Sequence, residues 1–321
     1  MRKIGYFLAA LAVPALASAA DATLLRMVMP DAKVVAGIRV SETKNSPFGQ
    51  FLLSRMQVDD EGLRKFVSAT GFDPRRDVSE IVIASNWQQT ATPDNRWLVT
   101  ARGSFDLDKI RQVAQDHGVT TVAHAGLEIY KYSAPQHDEV VNGLAFLDSR
   151  TAAMGDLDSL EKAIDRAKAG AAPSAKLLDK AGDLSAKNDF WFVSLVPISE
   201  FAGAIPNPNL SGAMKGNFLA GILEASGGVK FGDTVSIHAQ TVARSEKDAQ
   251  ALVDVVKFIA GMVQLNRQQN ATAGDVASLL DTLDCKADGT ITTLSLAIPE
   301  SQVEQLIAAA PHAAGKKKPV N

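Results

Sequence analysis

Two segments place a serine three positions before a lysine, the spacing that activates the serine nucleophile of penicillin-binding enzymes. They pair Ser41 with Lys44 and Ser159 with Lys162. That chemistry also needs Lys-Thr-Gly and Ser-Asp-Asn motifs, and the sequence contains neither. The nucleophile elbow Gly-x-Ser-x-Gly is absent as well. Because matches this short arise by chance in a chain rich in Ser and Lys, we predict no catalytic serine.

Metal and cofactor motifs are also missing from the sequence. A zinc site needs clustered nitrogen or sulfur ligands, usually two of them at short spacing. No two of the five histidines are three or four positions apart, and there is a single cysteine, Cys285; the histidines are His117, His124, His137, His238 and His312. We therefore predict no metal site and no cofactor.

Glycine and aspartate clusters have structural explanations. Gly227, Gly228 and Gly232 are expected in a hairpin between two strands, where they cannot form a phosphate-binding loop before a helix. Asp288-Gly289 is typical of a hairpin turn rather than of a calcium loop. The sequence has 36 acidic residues, and two carboxylates that are distant in sequence can meet in the folded chain. A hydrolase with such a pair therefore remains an alternative.

The first twenty residues have the three regions of a signal peptide. Arg2 and Lys3 are followed by an apolar run to Leu16 and then by Ala17-Ser18-Ala19-Ala20. The run is shorter than the roughly twenty residues that a membrane helix needs. We predict cleavage after Ala19 or Ala20 and a periplasmic or secreted protein.

The composition of the chain after the predicted signal peptide limits the classes of partner that it can bind. Removal of 1–20 leaves 31 Lys and Arg against 36 Asp and Glu, so the mature protein is mildly acidic. This charge gives no reason to expect nucleic-acid binding. No later apolar run approaches the length of a transmembrane helix. The lone Cys285 cannot close an intramolecular disulfide, so stability must come from core packing.

Alternating helical and strand periodicities predict an α+β fold with mainly antiparallel sheets and helices packed on one face. We divide the chain into a signal peptide (1–20), an N-terminal α+β half (21–170), a linker (171–188), a C-terminal α+β half (189–310) and a disordered basic tail (311–321). The tail carries Lys316, Lys317 and Lys318. Leu98–Arg102 and Gln240–Arg244 both read as a strand that ends in Ala-Arg before a helix with an acidic start. This match suggests an internal repeat.

Several short segments resemble exported bacterial proteins of unknown function, of the kind found in acidobacteria and planctomycetes. They include Ser46-Pro47-Phe48, Gly103-Ser104-Phe105-Asp106, and Phe146-Leu147-Asp148. The resemblance covers roughly 24–169 and implies no activity and no site residues.

Trp191 and Phe192 are the residues we select as contacts for a ligand or partner. They lie in the bulky strand Phe190-Trp191-Phe192, which is typical either of a central strand covered on both sides or of the wall of an apolar cleft. We predict an envelope protein that acts by binding. Its first candidate function is a protein-interaction module, and its second is a carrier of an apolar ligand or lipid held between a sheet and the longest helix.

Overall fold

The computed structural model describes residues 21–47, 49–50, 67–87, 96–134, 137–170, 176–200, 219–265, 267, 274 and 277–309. The predicted signal peptide and the predicted basic tail lie outside these residues. Within them, no helix is long and apolar enough to span a membrane.

Twelve strands form one sheet, and each pair of neighbours is antiparallel. The order across the sheet is β11-β12-β10-β9-β8-β1-β2-β3-β7-β6-β5-β4. The strands are β1 (Val34–Ile38), β2 (Val78–Ser85), β3 (Trp97–Gly103), β4 (Thr121–His124), β5 (Leu127–Ala134), β6 (His137–Asp148), β7 (Thr151–Asp156), β8 (Phe190–Ser194), β9 (Ile222–Lys230), β10 (Thr234–Ala243), β11 (Asp284–Asp288) and β12 (Ile291–Pro299). The predicted α+β class with an antiparallel sheet is confirmed.

The helices lie on both faces of this sheet, where the sequence analysis expected one face. They are α1 (Ala22–Met27), α2 (Val40–Asn45), α3 (Pro74–Asp77), α4 (Leu107–Asp116), α5 (Leu157–Ala169), α6 (Lys176–Lys187), α7 (Glu246–Leu265) and α8 (Glu300–Ala309). Single turns of 3-10 helix occur at Leu219–Gly221 and Leu280–Thr282. Helices can cover both faces because successive side chains of a strand point to opposite sides of the sheet, so one strand can bury residues under a helix on either side.

The main core lies on the face that α1, α5 and α6 cover, which we call the core face. Leu24 and Met27 of α1, Leu160 and Ile164 of α5, and Ala181 of α6 are fully buried there. They pack on sheet residues Val35, Val82, Leu98, Ala153, Trp191 and Val193. Helix α1 contributes two of the most buried side chains, although its six residues show too little periodicity to be predicted from sequence.

The opposite side of the sheet, which we call the groove face, carries α4 and α7. Ile110 of α4 packs there with Phe105 and Ala152. At the other end of the sheet, Thr292 Oγ1 donates a hydrogen bond of 3.2 Å to the carbonyl oxygen of Ala249 in α7. At the start of α7, the Asp248 N–H donates a hydrogen bond of 3.2 Å to Ser245 Oγ, as in a capping box.

The segment 171–188, predicted as a linker, contains helix α6, and Leu177 and Ala181 of this helix belong to the main core. The prediction missed this helix because its apolar residues are spaced among Lys, Asp and Gly, so only one narrow stripe is buried. The single sheet also runs without a break from the N-terminal half into the C-terminal half through the β1–β8 pair.

The strand order supports the predicted repeat. Outward from the central β1–β8 pair, the sheet order is β1-β2-β3-β7 on one side and β8-β9-β10-β12 on the other. In each half the first three strands of the chain lie side by side, and the strand next to them is the last strand of that half in chain order. Leu98–Arg102 of β3 and Gln240–Ala243 of β10 occupy matching positions in this order. The repeat itself stays a prediction.

Candidate functional site

A groove lies between α4 and the N-terminal half of the sheet. Asp106 begins α4, since its Oδ1 accepts a hydrogen bond of 3.2 Å from the Lys109 N–H. The helix turns Ile110 and Val113 toward the groove face. Beneath it the strands alternate, so that Tyr130, Leu144 and Met154 point toward the helix.

Two adjoining cavities make up this groove. The larger has a volume of about 410 Å³ and is lined by α4 and β5, with Val113, Ala114, Val119, Tyr130 and Tyr132 among its walls. The smaller has a volume of about 230 Å³ and is lined mainly by β2, β3 and β7. Ile110 and Leu144 border both cavities. The cavities therefore adjoin each other at these two residues, and both are lined mainly by apolar side chains.

Aromatic side chains close the inner end of the groove. The ring centroids of Phe105 and Phe146 are 5.1 Å apart in an edge-to-face arrangement, and those of Phe72 and Phe105 are 5.5 Å apart. Tyr130 approaches Phe146 edge-on at 6.3 Å. Such pairs add about 0.5–1.5 kcal/mol beyond the burial of their area, so this wall is firmly packed.

Charged groups are turned away from the groove. Lys131 borders the larger cavity, but it is paired with Gly143, whose Cβ would point at Leu160 on the core face, so its side chain belongs to that face. Burial raises the pKa of both Tyr130 and Tyr132, which keeps their phenols neutral. At the outer end, His117 Nδ1 donates to the Val113 carbonyl oxygen at 2.9 Å. The lining is thus apolar with a polar rim.

Apolar residues continue beyond the groove along the same face. The row through Leu144, Met154 and Val99 reaches Ile83, Ala36 and Phe192 by direct cross-strand pairing. Ile83 is 49% exposed and Phe190 is 37% exposed. The described part of the groove face therefore shows apolar area well outside the two cavities.

The two predicted contact residues, Trp191 and Phe192, lie on opposite faces of β8. Trp191 is fully buried in the main core, against Gly37 of β1. Phe192 is half-buried and lies on the groove face between Ala36 and Gly227. A ligand on the groove face can reach Phe192, whereas Trp191 is enclosed by the helices of the core face.

The groove residues were missed by the sequence analysis. Leu144 and Phe146 do alternate in a strand, and Ile110 and Val113 do share a helix face. That pattern is typical of any buried contact, and only the fold shows that the two surfaces leave space between them.

Neither serine–lysine pair forms a catalytic arrangement. Lys44 Nζ donates to the carbonyl oxygens of Arg76 and Val78, at 2.7 and 3.1 Å. Lys162 Nζ binds Asp158 Oδ2 at 2.7 Å, and Ser159 is buried in the first turn of α5. Over the described ranges, no three His, Cys, Asp or Glu side chains converge on a point that could hold a metal ion.

A polar cleft occurs on the core face beyond α6. It has a volume of about 370 Å³ and is lined by Lys180 and Asp183 of α6 and by His238, Gln240 and Asp284 of the sheet. His238 is exposed, as the alternation of its strand predicts.

The structure itself defines the fold class as a single large antiparallel sheet with helices on both faces. No family model matches the sequence, and no curated protein matches it. Among solved structures, the chain is similar to TP0453. Crystal form IV of TP0453 has a TM-score of 0.50 and 9% identity, and the match covers 91% of this chain and 98% of that one. Crystal form III gives 0.49 and 10%, with 88% and 97% covered.

At this level of identity the similarity to TP0453 extends to the fold alone. The resemblance to acidobacterial and planctomycete proteins stays a prediction.

Proposed function

We propose that this chain is exported to the cell envelope and carries an apolar chain molecule, such as the acyl chain of a lipid, in the groove between α4 and the sheet. The observation that carries the proposal is the pair of adjoining apolar cavities that share Ile110 and Leu144 in their walls. The predicted carrier placed its ligand against the longest helix, α7, whereas the proposed site lies against α4.

The size and chemistry of the groove suit such a ligand. Cavities for small molecules have volumes of roughly 300–1,000 Å³ and are lined mainly by apolar and aromatic side chains. Each Å² of apolar surface that the ligand buries contributes about 25 cal/mol. With Lys131 turned to the core face, the described part of the lining places no charged side chain toward the groove, so a charged ligand would lose its hydration there without compensation. The groove therefore selects ligands by their apolar length.

A fluorescent fatty acid tests this proposal directly. We expect the delipidated full-length mature protein to bind cis-parinaric acid and to enhance its fluorescence. Leu144→Gln should weaken binding by about tenfold, because it places an amide between the two cavities. The matched control is Leu265→Gln on α7, since Leu265 is 84% exposed and lies far along the sheet. Equal affinity of the two variants would reject the groove as the site.

A second pair of variants tests the groove by volume rather than polarity. Ala114→Phe places a ring in the larger cavity, and Gln115→Phe adds the same ring at the next, exposed position of α4. We expect Ala114→Phe to abolish binding of the probe and Gln115→Phe to leave it unchanged. Unchanged binding in both proteins would show that the probe is held elsewhere.

A protein partner is the second candidate, and a specific observation favours it. Helix α7 exposes an apolar stripe: Phe258 is 67% exposed, Ile259 47%, Met262 49% and Leu265 84%. These positions share one side of the helix and point away from Ala249 and Val253, which face the sheet. Exposed apolar patches of this kind are typical of interaction sites.

The β11 edge of the sheet is less suited to a partner than this stripe. Edge strand β11 carries Asp284, Lys286 and Asp288, and charged edge residues oppose pairing with another strand.

A photo-cross-linker at Met262, with Gln250 on the polar side of α7 as control, tests the stripe in cells. An adduct of one discrete mass at Met262 alone supports a partner if the identified protein also binds when purified. Equal labelling at both positions rejects the stripe.

A further inference from the structure

The described fold begins at Asp21, which directly follows the predicted cleavage region. Asp21 begins α1, since its Oδ1 accepts a hydrogen bond of 2.8 Å from the Thr23 N–H. Its Oδ2 accepts another from Arg102 Nε at 2.7 Å, and a second guanidinium nitrogen of Arg102 contacts the same oxygen. Asp21 is therefore anchored to the C-terminal end of β3.

Helix α1 is held in the core from its first turn. Leu24 and Met27 are fully buried. Arg166 of α5 donates a hydrogen bond of 2.6 Å to the Met27 carbonyl oxygen. The chain is therefore held by the core from Asp21 onward, so a protein that starts at Asp21 has no unpacked residues before α1.

The backbone nitrogen of Asp21 meets a carboxylate that is only half satisfied. Glu80 Oε2 accepts a hydrogen bond of 3.2 Å from the Asp21 N–H. Its other oxygen, Oε1, is buried and accepts no hydrogen bond from the part of the chain that the structure describes. Burial raises the pKa of Glu80. A buried carboxylate with an unsatisfied oxygen costs stability unless a cation or a further donor reaches it.

We propose that a signal peptidase cleaves the chain between Ala20 and Asp21, and that the new α-ammonium group of Asp21 forms an ion pair with Glu80. The hydrolysis consumes one water: the Ala20–Asp21 peptide bond breaks, Ala20 gains a carboxylate, and the Asp21 nitrogen becomes an amine. This amine takes up a proton at neutral pH. An ammonium group has three N–H donors where the peptide nitrogen has one, so it can serve both oxygens of Glu80.

This geometry separates the two cleavage points that the sequence leaves open. Cleavage after Ala19 would keep Ala20 in front of Asp21, and the group beside Glu80 would remain a neutral amide. Cleavage after Ala20 places the new charge at the half-satisfied carboxylate. The ion pair would then fix the mature N-terminus to β2, as Arg102 fixes the Asp21 side chain to β3.

The first experiment compares two proteins released from a fusion by a protease that leaves no extra residue, one starting at Asp21 and one at Ala20. We expect the Asp21 protein to have a Tm higher by about 2 °C. In the Glu80→Gln background the two proteins should have the same Tm, because the amide removes the charge but keeps the size. Equal Tm values with Glu80 present, or a difference that persists in Glu80→Gln, would overturn the ion pair.

The pH dependence of the Tm difference between the two proteins gives a test that does not require the Glu80→Gln variant to fold. Pairing raises the pKa of the Asp21 ammonium above its ordinary value of about 7.7–8.0, so its stabilisation is present below that value and is lost as pH rises through the raised pKa. The Asp21 carboxylate, Arg39 and Arg102 also face Glu80, and both proteins share them. The Tm difference should therefore shrink at alkaline pH, and a constant difference would contradict the proposal.

The intact mass of protein recovered from the periplasm tests the cleavage step itself. A mass that matches a chain starting at Asp21 supports the proposed cleavage, and a mass that matches a chain starting at Ala20 or at Met1 overturns it. These results do not depend on the groove, because α1 and Glu80 do not line either of its cavities. Failure of the N-terminal ion pair would leave ligand binding untouched, and the reverse also holds.

Discussion

The indole ring of Trp191 occupies the space that a side chain at Gly37 would need. A Cβ atom on Gly37 would lie 2.4 Å from Cζ2 of Trp191, which is far inside van der Waals contact. The two residues are direct partners in the β1–β8 pair, at the centre of the sheet. Trp191 is fully buried, so its ring has no free direction in which to move. The contact joins the two halves of the chain.

Gly37→Ala is expected to destabilise the protein by about 3 kcal/mol, because overpacking of a closed core forces the ring or the strand to shift. Gly182→Ala is the matched control: Gly182 lies in helix α6 with no atom within 4 Å of a new Cβ. It should stabilise by about 0.5–1 kcal/mol through helix propensity. Urea unfolding measures both. A harmless Gly37→Ala would show that the β1–β8 contact is looser than the geometry indicates.

Asp189 is expected to be the ion-pairing residue most sensitive to substitution. Its side chain is 2% exposed and accepts from Arg39 Nη2 at 3.1 Å, from Lys230 Nζ at 2.8 Å and from the Phe231 N–H at 2.8 Å. Asp189→Ala should lower the free energy of unfolding by about 3 kcal/mol, since it removes the buried carboxylate that Arg39 and Lys230 share. Chemical denaturation at neutral pH measures the loss.

The control for Asp189→Ala is Asp284→Ala on edge strand β11. Asp284 pairs with Lys286 at 2.8 Å, but both side chains are more than half exposed. Exposed pairs contribute about 0–1 kcal/mol, so this variant should unfold close to the wild type. Similar losses in the two variants would contradict the argument from burial.

The Asp21–Arg102 pair predicts a loss of stability in acid. Burial alone would raise the pKa of Asp21, but hydrogen bonds from Arg102 and Thr23 outweigh it and lower the pKa below its ordinary value. A carboxyl group with a lowered folded pKa contributes stability above its unfolded pKa and loses it as pH falls through the folded pKa. Asp21→Asn keeps the helix cap but removes this charge.

We therefore expect the wild type to be more stable than Asp21→Asn at neutral pH, with the difference vanishing in acid. Urea midpoints of both proteins, measured from neutral pH downward, report it. A difference that is the same at every pH would mean that the carboxylate charge is irrelevant and that only the side-chain shape matters.

Cys285 is expected to react slowly while the protein is folded. The residue is 4% exposed, and burial raises the pKa of its thiol above the ordinary value. The thiolate is the reactive form, so both effects slow alkylation. Native protein should be labelled by iodoacetamide at least about tenfold more slowly than urea-unfolded protein. Equal rates would show that β11 opens readily at the edge of the sheet.

Gly227 and Gly228 show one limit of the sequence prediction. They were expected in a hairpin turn, but both lie inside β9. A Cβ on Gly228 would lie 2.2 Å from Asn188, and one on Gly227 would lie 2.4 Å from the His238 carbonyl oxygen. Here glycine permits close approach within the sheet rather than a turn, and the sequence does not distinguish these two uses.

The sequence by itself determined the secondary-structure types, the α+β class and the absence of several common catalytic motifs. Strands such as β2, β3, β8 and β10 and helix α7 show their periodicity locally, because each buries a face that its own residues define. Only the tertiary structure decided which faces meet, and therefore that Trp191 is core while Phe192 borders open apolar surface. The groove and the half-satisfied Glu80 depend on residues far apart in the chain, and no local pattern records the space or the donors between them.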